Sequence, residues 1–142
     1  MATEILVNDG GAPARILNLG NAGAAIEAGI VVDIDSNGKI QAATDDQTGG
    51  TNKAQAAALG VLLVDAVSGA PTSIVTGKGI VCNVQSVAGL TVGEELVVDD
   101  AGKLEHSGNI ETDRIFAVAL DATFSGADSS GNATNFTKVL II

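Results

Sequence analysis

Gly29-Ile30-Val31-Val32-Asp33-Ile34-Asp35-Ser36-Asn37-Gly38-Lys39-Ile40 aligns without a gap on Gly93-Glu94-Glu95-Leu96-Val97-Val98-Asp99-Asp100-Ala101-Gly102-Lys103-Leu104. The shared frame is Gly, a β-rich run, Asp, two residues, Gly-Lys and an aliphatic. In each copy the Asp can open a type I turn and the Gly can take the left-handed position, which is the signature of a hairpin with a G1-type bulge. Each hairpin then meets a similar further strand, Gly60-Val61-Leu62-Leu63-Val64-Asp65-Ala66 in one copy and Phe116-Ala117-Val118-Ala119-Leu120-Asp121-Ala122 in the other. The reading is two related β-units, 29–66 and 93–122, inside one domain spanning 1–142. Two copies are too few for a solenoid.

The rest of the chain has the same texture. Candidate strands are Glu4–Val7, Arg15–Asn18, Gly29–Ile34, Lys39–Ala43, Gly60–Asp65, Thr72–Thr76, Lys78–Gln85, Glu95–Val98, Arg114–Asp121 and Phe136–Ile142. Several alternate with period two: Ile80, Cys82 and Val84 share one face, and Val81, Asn83 and Gln85 the other. Many short strands with frequent turn signals indicate an all-β fold, a small β-barrel or β-sandwich. A minor short helix is expected at Ala54–Leu59, closed by Gly60, with Asn21–Glu27 as a weaker candidate. Two polar, Gly-rich stretches, 44–55 and 125–135, read as surface loops.

Composition narrows the function. Hydrophobic residues make up 46% of the 142 and aromatics 2%, so the core must be built from Val, Ile, Leu and Ala. Seventeen acids against seven bases leave a formal charge of −10, which speaks against nucleic acid and anionic membranes as partners, since both require clustered Lys and Arg. The single cysteine, Cys82, allows no internal disulfide and no Cys-based zinc site. Met1-Ala2-Thr3-Glu4 lacks the basic and apolar regions of an export signal, and the apolar runs are far short of a bilayer span. The expectation is a soluble protein made without export.

Each chemical candidate has a plainer rival. Asp33-Ile34-Asp35-Ser36-Asn37-Gly38 opens like an EF-hand loop, but position 12 is Thr44 instead of Glu and the flanks read as strands. The plainer reading is an Asp-started turn. Gly77-Lys78-Gly79 lacks the third glycine and the helix of a phosphate cradle. His106, the only histidine, stands near no nucleophile elbow. Glu94-Glu95, Asp99-Asp100 and Asp45-Asp46 are sequence neighbours, which point to opposite faces in a strand and do not converge as an acid/base pair. Thr51-Asn52-Lys53-Ala54 is similar to the turn lysine of a lipoyl-carrier domain, another acidic barrel of two related halves. There the preceding residue is Asp and a strand follows; here an Ala-rich stretch follows. A carrier with Lys53 modified is the alternative function, and a solvated surface lysine is the plainer reading. No catalytic, cofactor-binding or metal-ligating residue is assigned, and the chain is not expected to be an enzyme or to need a cofactor.

The order of features resembles the capsid cement, or decoration, proteins of tailed bacteriophages. The stretches that carry the resemblance are Ile5-Leu6-Val7-Asn8-Asp9-Gly10, Glu27-Ala28-Gly29-Ile30-Val31-Val32, 58–66, 74–84, 90–99, Gly102-Lys103-Leu104, 115–122 and Lys138-Val139-Leu140-Ile141-Ile142. It covers most of the chain and is one of strand order and turn placement. It implies a structural virion protein that binds the outer surface of an assembled capsid, with the major capsid protein as partner, and cements neighbouring subunits. It also implies a homotrimer, made in the host cytoplasm and located on the capsid exterior. No capsid-contact residue carries over, because the family has no fixed contact motif. The loops 44–55 and 125–135 are longer than the compact family pattern. The run Val139-Leu140-Ile141-Ile142 adds a motive of its own for assembly. Apolar on both faces, it needs cover from a subunit neighbour, from a barrel interior, or from a central position in a sandwich.

Overall fold

Short β-branched runs bounded by Gly and Asp satisfy their backbone groups by pairing with one another. The computed structural model describes residues 2–8, 11–44, 58–108 and 115–142, and in it these runs form two antiparallel sheets. The first comprises β1 (Arg15–Leu17), β2 (Val31–Ile34), β3 (Ile40–Ala42), β4 (Gly60–Leu62) and β5 (Ile74–Thr76), in the order β1-β5-β4-β2-β3. The second comprises β6 (Val81–Gln85), β7 (Glu95–Val98), β8 (Leu104–His106), β9 (Ala117–Ala119), β10 (Phe124–Ala127) and β11 (Ala133–Ile141). Its pairs run β10-β11-β9-β7-β8, with β6 also on β11. The fold is all-β and reads as a small sandwich; the sheets do not close into a barrel. Among the described residues there is no helix, and so none long and apolar enough to cross a membrane.

The two quoted stretches form the same structure. Asp35 and Asp99 each accept two backbone N–H bonds on Oδ1, from Asn37 and Lys39 at 2.8 and 2.9 Å and from Ala101 and Lys103 at 2.8 and 2.9 Å. Gly38 and Gly102 both sit at φ 76°, in the left-handed region that the turn requires. The next strand joins β2 and β7 alike. Leu62 N–H bonds Ile30 O and Ala119 N–H bonds Glu94 O, each at 2.9 Å. This pairing makes Val61 the counterpart of Val118, one residue away from the sequence alignment of Gly60 on Phe116. The ladder, not the similarity of the apolar runs, sets the register.

A third turn of the same kind joins β10 to β11. Asp128 Oδ1 accepts Ser130 and Asn132 N–H at 3.0 and 2.8 Å, and Gly131 has φ 85°. The stretch 125–135, expected as a surface loop, is therefore a hairpin of two paired strands.

β11 lies inside its sheet. Ser86 N–H bonds Asn135 O and Ile141 N–H bonds Ile80 O along one edge, both at 3.0 Å. Along the other, Leu120 N–H bonds Lys138 O at 2.8 Å and Ile142 N–H bonds Phe116 O at 3.1 Å. Val139 and Ile141 are buried. Of the three covers expected for the C-terminal run, the central position in a sandwich is the one observed for Val139 and Ile141, while Ile142 is 48% exposed.

Between the sheets lies the main core. Val31, Val61 and Val75 of the first sheet meet Cys82, Val84, Leu96, Leu104, Ala117, Phe136 and Val139 of the second. Val32, Ile40, Leu62 and Ile74 alternate to the opposite face and pack under Ala22, Ile26, Ile30 and Ala66. That covering layer includes the segment expected as a weaker helix, 21–27. Its amides are committed elsewhere: Ala22 N–H to Ala70 O at 3.0 Å and Ile26 N–H to Ala66 O at 3.2 Å. The inner strands β2, β4 and β5 of the first sheet are thus buried on both faces, which explains their unbroken apolar runs. The other expected helix, Ala54–Leu59, falls largely outside the described residues.

Candidate functional site

Several of the described residues with chemistry are occupied in holding the fold. Asp35, the second oxygen of the calcium-like loop, turns its carboxylate onto its own turn amides, and Asp33 is buried within β2 opposite Gln41. Among the described residues no group of three or more His, Cys, Asp or Glu side chains could hold a metal. Cys82 is buried opposite Val139, and burial pushes its thiol from 9.0 up to about 11; a thiol in that state is a poor nucleophile. His106 ends β8, exposed, opposite Leu96 and beside Glu94, Glu95 and Ser107. Glu94 Oε1 accepts the Thr91 hydroxyl at 3.0 Å, and Asp99 serves its turn. Gly77-Lys78-Gly79 connects two strands, and Lys78 stands at a cleft of about 300 Å³ walled by Leu59, Val98, Phe116 and Ile141. Asp45, Asp46 and Lys53 lie outside the described residues.

Buried polar groups missed by the sequence reading are also structural. Ser86 and Thr137 share a hydroxyl hydrogen bond of 2.9 Å, and Thr123 takes Leu90 N–H at 3.0 Å and donates to Val87 O at 3.2 Å. Gln85, buried, donates to Glu27 Oε2 at 3.2 Å and to Ala28 O at 3.0 Å. These bonds satisfy donors that burial would otherwise penalise.

What the molecule does present is an open strand edge. The outward amide and carbonyl of Ile40 in β3 bond Asn21 O and Gly23 N–H, at 2.9 and 3.0 Å. Leu104 O in β8 takes Val87 N–H at 2.9 Å. β6 is covered by 5–8, through Asn83 N–H to Ile5 O and Val7 N–H to Val81 O at 2.8 and 3.1 Å, and β10 by Thr3 N–H to Ala127 O at 2.8 Å. β1 has no such cover among the described residues. Val75, its register partner at Ile16, belongs to the row whose backbone groups face β4, as Leu63 N–H to Ser73 O at 2.9 Å shows. Ile16 N–H and C=O therefore face outward. Its side chain is 53% exposed, and Leu17 and Leu19 are 39% and 40% exposed. In sequence the edge showed only as a short apolar run beside Pro13.

The fold defines a two-sheet all-β protein, a small antiparallel sandwich. One solved structure with this fold is the N base of the head fiber gp8.5 in bacteriophage phi29. It is 13% identical, with a TM-score of 0.59 over 92% of this chain and 95% of that one. No family model matches the chain, and no curated protein matches it.

Proposed function

We propose that the chain is a structural protein of a tailed-phage virion, made in the host cytoplasm, that binds the outer surface of the assembled capsid and cements neighbouring subunits, acting as a homotrimer. The observation that carries this reading is the likeness to the phi29 head fiber base, which spans nearly the whole of both chains. The strand order and turn placement read from the sequence point the same way. Residues 1–142 act as one domain, with 29–66 and 93–122 as its related units, and no enzymatic step is assigned. A protein that binds only the assembled shell stabilises that state by mass action, and three copies held together multiply modest contacts.

The test is sedimentation of the purified protein with undecorated heads, beside light scattering of the protein alone. Co-sedimentation that weakens with salt is expected, since a chain at −10 docks with help from charge pairing that ions screen. Failure to co-sediment at low and high salt alike overturns the capsid role, and a 14.0 kDa species in scattering overturns the trimer. Intact mass separates the carrier alternative, which requires an adduct on Lys53.

A further inference from the structure

We propose that the outer edge of β1 accepts an extended segment of the shell protein, which adds to the first sheet as a sixth strand. Identification of the donor as the shell protein rests on the reading above; the acceptor edge rests on geometry alone. Among the described residues, four strand edges are covered by this chain's own backbone, whereas β1 leaves the Ile16 N–H and C=O facing outward beside exposed Ile16, Leu17 and Leu19. An uncovered edge with apolar side chains is a template for another strand, and strand addition is an established mode of peptide capture.

Charge selects the occupant. In a chain at −10, Arg15 is the only charged residue from 11 to 26, and 66–77 contains none. Depletion of charge around an apolar centre is how interface cores differ from ordinary surface. Arg15 and Leu17 share one face of β1, and Ile16 takes the other. The incoming segment therefore carries apolar side chains on both faces and one carboxylate near Arg15. A second copy of this chain suits the edge less well. Its own β1 would bring another arginine and no acid.

Ile16→Pro removes the outward donor and leaves the bonds to β5, because proline is tolerated on an edge strand whose N–H faces solvent. Ile16→Lys and Arg15→Glu change the edge chemically, and Val92→Lys, at a 66% exposed site in the turn before β7, is the control. Each is checked for an unchanged melting temperature and then sedimented with undecorated heads. The expected result is tight binding by wild type and Val92→Lys, with at least a tenfold loss for the three edge variants. Hydrogen exchange at the Ile16 amide should also slow on the heads. Equal binding by wild type and edge variants overturns the strand addition and leaves the capsid role standing. No binding by any form overturns the capsid role and this occupant together. If ultracentrifugation shows a self-associated wild type that Ile16→Pro dissociates, the occupant is a second copy and the proposal is wrong.

Discussion

Gly38 and Gly102 hold the same φ and occupy equivalent turns, yet their surroundings differ sharply. A Cβ on Gly38 meets nothing within 4 Å, whereas one on Gly102 falls 2.5 Å from Ile30 Cγ2 and 2.6 Å from Val31 O. The second turn is also tied to the first sheet, since Gly102 O accepts Val31 N–H at 2.9 Å. Gly38→Ala should therefore cost about 1 kcal/mol, the strain of the left-handed region alone. Gly102→Ala should cost roughly 3 kcal/mol or more, because backbone must also move; equal midpoints in urea would refute the difference. Cys82 gives the pH dependence. Burial disfavours the thiolate and pushes its thiol from the ordinary 9.0 up to about 11 in the folded chain. Below 9.0 both states hold the proton and the contribution is constant. Above it the unfolded state loses the proton first, so stability falls by up to about 1.4 kcal/mol per pH unit until about 11. Cys82→Ala should flatten that alkaline slope in melts from pH 8 to 11, while lowering stability at every pH.

Among the elements, the three Asp turns are the most uniform device. In each, one carboxylate oxygen holds two amides that the tight loop would leave unpaired. Asp128→Ala should cost about 1–2 kcal/mol, and Asp128→Asn less, because the amide oxygen can still accept; equilibrium unfolding of the two variants checks the order. The first two turns were legible because Asp-x-x-Gly-Lys recurs within matching strands. The third has the same Asp128-x-x-Gly131 spacing, but Asn132 replaces the lysine and the flanking Ser and Gly are weak strand signals. Of its strands, β11 pairs at long range with β6 and β9, and β10 is bonded by Thr3, which local propensity does not report. The same limit explains 21–27. Helix propensity there loses to hydrogen bonds from 66 and 70 and to the apolar layer those bonds close.

At the scale of the whole molecule, composition and period two were enough for an all-β protein, since nothing else buries so many short aliphatic runs. The choice between barrel and sandwich was not legible, because it depends on which edges meet. The open edge of β1 was hidden for the same reason: a run such as Arg15-Ile16-Leu17 reads alike whether a neighbour covers it or not. Sheet membership also follows chain order, with β1–β5 drawn from 15–76 and β6–β11 from 81–141. During synthesis, all strands of the first sheet leave the ribosome while the second is still being made, so pairing can begin on the earlier half. The segment 5–8, however, bonds β6, and Thr3 accepts Ala127 N–H from 124 residues away. The segment 5–8 therefore waits for β6 and Thr3 for Ala127, and contacts between partners so distant in sequence form slowly.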